Sequence, residues 1–101
     1  HKRRDLMLEM LSEIPGIRTN KPDGAFYIFP DVSHYFGKSD GKKIISNSSD
    51  FCMYILNDAH VALVAGKAFG SPNCVRISYA ASEENLIEAV KRIKKSLSKL
   101  Q

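Results

Sequence analysis

Several functions are excluded by what the chain has little of. No apolar run approaches the ~20 residues that a helix needs to cross a bilayer, and no secretory signal opens the sequence. A membrane partner is therefore not expected, and any targeting segment would have to precede His1. There are no internal repeats and no low-complexity segments. The two cysteines, Cys52 and Cys74, fit no ligand or disulfide spacing and read as free thiols in a reducing cytoplasm. His1, His34 and His60 are too scattered along the chain to hold a metal.

Positive charge is present but locally explained. The net charge is +4 over 101 residues, and Lys91, Arg92, Lys94, Lys95 and Lys99 supply most of the excess at the end of the last helical pattern, where cations complement the helix dipole. Residues 82–101 contain no aromatic side chain to stack on bases. A solvated helix face is the reading, and a nucleic-acid partner is not expected.

Hydrophobic periodicity divides the chain. Leu6, Met7, Met10, Leu11 and Ile14 form a helical stripe that ends at Pro15-Gly16. Lys2, Arg3 and Arg4 at its start and Glu9 and Glu13 towards its end reverse the order that the dipole favours, as expected of a helix that continues upstream. Lys21-Pro22-Asp23-Gly24 has the residue order of a type I turn. It feeds a strand over 25–29, apolar at every position and so expected to be covered on both faces. A short helix is predicted over 32–36, and the polar stretch 37–48 is the expected mobile loop. Ser48 or Ser49 is expected to cap a helix that buries Phe51, Cys52, Ile55, Leu56 and Ala59. A buried strand over 61–64 and a Gly/Pro/Asn loop lead to a strand over 74–80. Ser82 caps a last helix, with Glu83 and Glu84 in its first turn and Leu86, Val90, Ile93, Leu97 and Leu100 as its stripe. The order helix, strand, helix, strand, strand, helix predicts an α+β fold, a small mostly antiparallel sheet of about three strands with helices packed on one face.

Within the strand Cys74-Val75-Arg76-Ile77-Ser78-Tyr79-Ala80, Val75, Ile77 and Tyr79 share one face and Arg76 and Ser78 the other. Arg76 either lies solvated on the polar face or is a rigidly held guanidinium whose fork matches a carboxylate.

Three blocks occur in order: Lys21-Pro22-Asp23-Gly24-Ala25-Phe26-Tyr27-Ile28-Phe29, then Val61-Ala62-Leu63-Val64-Ala65-Gly66-Lys67-Ala68-Phe69-Gly70, then Val75-Arg76-Ile77-Ser78-Tyr79-Ala80 leading into Ser82-Glu83-Glu84-Asn85-Leu86. Together they resemble the C-terminal small domain of class I pyridoxal-phosphate-dependent aminotransferases, most closely the aspartate aminotransferase group, over nearly the whole chain. One departure is Ala65, where that family most often has proline before the glycine. The resemblance implies that residues 1–101 form a single C-terminal small domain of a larger aminotransferase, with 1–14 the end of an interdomain helix and 82–101 the C-terminal helix. It implies amino-acid and 2-oxo-acid substrates, a homodimeric full-length protein in the cytoplasm, and pyridoxal 5'-phosphate bound by a large domain outside this chain. Arg76 takes by resemblance the role of binding the substrate α-carboxylate.

The remaining machinery of transamination is not found in the chain. That family's Schiff-base lysine lies shortly ahead of a Gly-x-Arg-x-Gly run, and Gly16-Ile17-Arg18-Thr19-Asn20 lacks both the final glycine and a suitable lysine. Ser39-Asp40-Gly41-Lys42 and Ser96-Leu97-Ser98-Lys99 match a serine-lysine nucleophile pattern by chance. Lys67 reads as a solvated lysine, Phe26, Tyr27 and Phe29 as core, and Phe69 as a candidate wall of the substrate cleft. No catalytic, cofactor-binding or metal-binding residue is assigned, and the fragment alone is expected to be inactive. The alternative is a free-standing regulatory module that binds an amino acid or another carboxylate at Arg76.

Overall fold

The computed structural model describes residues 2–19 and 27–101. The turn expected at 21–24, and Ala25 and Phe26 of the first predicted strand, lie outside the described residues. The elements are α1 (Lys2–Ser12), β1 (Tyr27–Ile28), α2 (Ser48–Ala59), β2 (Val64–Ala65), β3 (Val75–Ser78) and α3 (Glu83–Leu97), with 3-10 turns at Ser33–Tyr35 and Gly66–Phe69. The fold is α+β and the element order is the predicted one. The sheet runs β1-β3-β2 and is antiparallel at both junctions, with Tyr27 opposite Ser78, Ile28 opposite Ile77, Val64 opposite Arg76 and Ala65 opposite Val75.

A central β3 explains where the core lies. Its alternation turns Val75 and Ile77 inward, where they join Ile28 and the helical residues Met7, Leu11, Phe51, Ile55, Leu86, Val90 and Ile93 in one buried cluster. The helices thus cover one face of the sheet. The other face is left to Tyr27, Val64, Arg76 and Ser78.

The helices are bounded by the chemistry of their ends. The Ser82 hydroxyl accepts from the Asn85 N–H at 3.2 Å, as predicted, and all five residues of the α3 stripe are buried. The cap of α2 is one residue earlier than expected. Asn47, not Ser48 or Ser49, accepts from the Asp50 N–H at 2.8 Å, while the Asp50 carboxylate reaches back to the Ser46 N–H at 3.1 Å. Ser48 is buried in the first turn instead. The buried stripe of α2 is also narrower than predicted: Phe51, Ile55 and Ala59 are buried, Cys52 is partly so, and Leu56 is exposed.

Residues 37–48 are tied down rather than loose. The Gly37 N–H donates to Ile45 O, the Ile45 N–H to Lys38 O, and Ser39 and Gln101 exchange a backbone pair at 3.0 and 2.9 Å. Ile45 is buried, so this polar stretch has an apolar anchor that its composition conceals.

One polar clasp joins α2 to α3. Ser96 is 2% exposed, and its hydroxyl donates to the Asp58 carboxylate at 2.6 Å; the Lys99 ammonium reaches the same carboxylate at 3.0 Å, and the Tyr54 hydroxyl donates to Ser96 O at 2.6 Å. The Ser96 hydroxyl, then the Lys99 ammonium, hold the Asp58 carboxyl below its ordinary value, and burial pushes the Tyr54 hydroxyl up to about 12. Asp58→Ala is expected to destabilise the fold by about 1–3 kcal/mol near neutral pH, because it strands a buried hydroxyl. A depressed folded-state pKa contributes stability above the unfolded carboxylate value, about 3.9, and loses it as the pH falls through the lower folded value. In urea titrations of both proteins from neutral pH down to a pH of about 2, the difference should therefore narrow towards the acid end, leaving the pH-independent cost of the stranded Ser96 hydroxyl. A constant difference across that range would refute the role of the Asp58 charge.

Candidate functional site

Arg76 is positioned by its backbone. It occupies the middle strand with both neighbours, Val75 and Ile77, locked into the core at 1% and 5% exposure. Its side chain leaves the opposite face half-buried, and no described carboxylate pairs with it, whereas Arg4 and Arg92 are engaged by Asp5 and Glu88.

What surrounds the guanidinium is aromatic. Its carbon lies 4.3 Å from the centroid of the Tyr27 ring and 4.7 Å from that of Phe69, distances at which the ring quadrupole attracts a cation. Phe29 meets Phe69 edge to face with centroids 6.0 Å apart. Tyr27, Phe29, Val64 and Phe69 are exposed by 36, 42, 39 and 42%. A contiguous group of large apolar side chains around one cation is a surface shaped for a partner or a ligand.

Two expectations are corrected here. The run at 25–29 was expected to be covered on both faces, yet Ile28 is buried while Tyr27 and Phe29 face outward. Their strand is covered only on its helical side. Likewise the predicted buried strand at 61–64 is the edge pair Val64–Ala65, with Val64 beside Arg76 on the open face. Phe69, the candidate cleft wall, does reach the site. Tyr27 was missed, although the aromatic residues at 27 and 29 are a period-2 signal that places both on one face once the strand is known to be half-covered.

The turn that carries Phe69 depends on Gly66. Its N–H donates to Cys74 O at 2.8 Å and its carbonyl accepts from the Ser71 N–H at 2.9 Å. Gly66 is buried, and an added methyl would run into the carbonyl oxygens of Ser71 and Cys74. Ala65 sits just before it with φ −64 and ψ 132, a conformation that proline adopts without strain. The Val75 N–H donates to Pro30 O on the β1 side, so the backbone of its partner Ala65 points to the free edge and needs no ladder bond. Ala65→Pro is expected to raise stability by about 0.4–1 kcal/mol through the unfolded chain. Thermal unfolding checks this; a lower midpoint would mean that the Ala65 N–H has a partner.

The other candidates are not drawn into the site. His34 and His60 are exposed and His1 is outside the described residues. Among the described residues no three of His, Cys, Asp and Glu gather as metal ligands. Of the two serine-lysine patterns, Ser39 accepts from the Gly41 N–H and Ser96 serves the clasp with Asp58 and Lys99. Lys67 is exposed in the 3-10 turn. Cys52 and Cys74 are free, and burial pushes the Cys52 thiol up to about 11 and raises that of Cys74 as well, so neither is an activated nucleophile. No helix among the described residues is long and apolar enough to cross a membrane.

A helix-backed antiparallel sheet, with an arginine on its open face that no acid among the described residues pairs with, defines the architecture as an α+β unit. The chain belongs to the aminotransferase class I and II family, whose pattern matches residues 1–93. It is 50% identical over 97 residues to a bifunctional aspartate aminotransferase and glutamate/aspartate-prephenate aminotransferase from Petunia hybrida, covering 95% of this chain and 20% of that protein. It is 48% identical to a probable aspartate/prephenate aminotransferase from Aquifex aeolicus, over 98% of this chain and 24% of that protein. The crystal structure of an aspartate aminotransferase from Rhizobium meliloti superposes with a TM-score of 0.95 at 44% identity, over 99% of this chain and 25% of that one. The chain thus spans about a fifth to a quarter of the length of the relatives it matches.

Proposed function

We propose that this chain is the C-terminal small domain of an aspartate aminotransferase-like enzyme, in which Arg76 binds the α-carboxylate of the amino-acid or 2-oxo-acid substrate and the open sheet face closes over the active site. One observation carries the reading: a strand-held guanidinium with no acid partner among the described residues, set in an exposed apolar surface. An arginine left without an internal carboxylate keeps its fork of N–H donors for a ligand, and two parallel charge-assisted bonds fix the orientation of the bound acid. The likeness to long aminotransferases supports placing the substrate there.

Pyridoxal phosphate, the cofactor that supplies the electron sink for this chemistry, belongs in this reading to the remainder of the protein. The described side chains around Arg76 are aromatic, aliphatic or hydroxyl-bearing, so the site around Arg76 does not fit the cofactor. In this reading the full-length enzyme is a homodimer, as the resemblance implies, and the two free thiols fit a reducing compartment.

The reading is tested with the chain alone and with the full-length protein. The full-length protein is expected to exchange amino groups between aspartate and 2-oxoglutarate. The 101-residue chain, titrated with pyridoxal phosphate, is expected to show no saturable binding at a single lysine and no turnover. Stoichiometric cofactor binding with turnover by the chain alone would overturn the division of labour. An inactive full-length protein, with tight amino-acid binding by the chain alone, would point to a regulatory carboxylate-binding module instead.

A further inference from the structure

Arg76 is held from both flanks of its strand. Tyr27 comes from β1 and Phe69 from the turn that follows β2, the strands on either side of β3. The two rings lie at 4.3 and 4.7 Å from the guanidinium carbon. Phe69 is in turn braced edge-on by Phe29, and its turn is closed by the backbone bonds of Gly66 to Cys74 and Ser71.

This support differs in kind from an ion pair. A carboxylate that held the guanidinium would consume the same N–H donors that a ligand needs, as Glu88 does for Arg92 at 3.2 Å. A π-face attracts the cation without accepting from its in-plane N–H groups, so it fixes the plane and leaves the fork free. A free arginine side chain must be immobilised when it binds, at a cost in affinity; one already immobilised by two rings avoids that cost.

We propose that Tyr27 and Phe69 are positioning residues that clamp the Arg76 guanidinium between their rings and so pre-organise it for a carboxylate. The inference rests on the reading of Arg76 as the carboxylate-binding residue. It adds that the affinity depends on two rings that act through Arg76.

The test is made in the full-length enzyme, with Tyr27→Leu and Phe69→Leu placed singly on the native protein and on an Arg76→Ala background. On the native background each is expected to lower kcat/KM for aspartate by about three- to tenfold. On the Arg76→Ala background each is expected to change it by less than about twofold, because the rings then have no cation to hold. Tyr27→Phe and Phe69→Tyr, which keep a ring, should restore most of the activity. Equal losses on both backgrounds would overturn the clamp, since the rings would then act on the substrate or the fold directly. Native-like activity of both leucine variants beside a crippled Arg76→Ala would overturn the clamp alone and leave the carboxylate reading standing. An Arg76→Ala enzyme of native efficiency would overturn the carboxylate reading on which the clamp rests.

Discussion

In the full-length enzyme, Arg76→Lys is expected to reduce catalytic efficiency for every amino-acid and 2-oxo-acid substrate alike, by on the order of tenfold or more. Lysine keeps the charge but loses the planar fork, and one lost charge-assisted hydrogen bond is worth about 1.5–3 kcal/mol. Arg76→Ala should be worse, since the site then offers the carboxylate no charge at all. Folding should survive both changes. The side chain is on the open face, with no described acid left unpaired by its removal, and the strand is held by Val75 and Ile77 rather than by Arg76. Steady-state kinetics with two donors of different side chain decide the matter. A uniform loss identifies the group common to all substrates, the α-carboxylate. A loss confined to one dicarboxylic donor would mean that Arg76 reads a side chain, and unchanged efficiency would make it a surface residue.

Gly66→Ala is expected to be strongly destabilising. The backbone there is not in a conformation reserved for glycine, and the obstacle is space. Two carbonyl oxygens, of Ser71 and Cys74, occupy the position of the missing side chain. Both belong to the backbone and cannot swing aside. Accepting a methyl means parting Gly66 from Cys74 and Ser71, which strains the turn and forfeits two backbone hydrogen bonds. Overpacking of this kind costs about 1–3 kcal/mol, and each lost bond about 1 kcal/mol more, so a total of roughly 3 kcal/mol or above is expected in urea unfolding. Phe69, three residues on, would leave Arg76, so kinetic efficiency should fall together with stability. A variant within 0.5 kcal/mol of the native protein, about the range of a neutral surface change, would show that the turn relaxes freely.

Helices were legible in the sequence wherever a stripe and a cap agreed. Ser82 before Glu83 and Glu84, with apolar residues recurring down to Leu100, leaves α3 no other reading, and every residue of the stripe is buried. The cap of α2 was misplaced because Asn47, Ser48 and Ser49 are three consecutive residues able to cap. Which one does so depends on Phe51 and Ile55 facing the core, a tertiary condition. The sheet was less legible for the same reason. An all-apolar run such as 25–29 is expected of a strand covered on both sides, but it also fits one whose outer aromatic residues flank a cation, and the two cases differ only in what lies across the sheet. Arg76 stood out because a charged residue interrupts a strand pattern. Tyr27 did not, and Phe69 was legible only as a candidate cleft wall, because their relation to Arg76 is a matter of register. They lie 49 and 7 positions from Arg76 in sequence, and only the β1-β3-β2 order brings them together.

A structure of the full-length enzyme with a bound amino acid or dicarboxylate would test the central claim most directly. Both oxygens of the α-carboxylate are expected within about 2.7–2.9 Å of two guanidinium nitrogens of Arg76, with the Tyr27 and Phe69 rings still flanking the guanidinium. A carboxylate held by other residues, with Arg76 turned to solvent or paired to an acid from the rest of the protein, would contradict it.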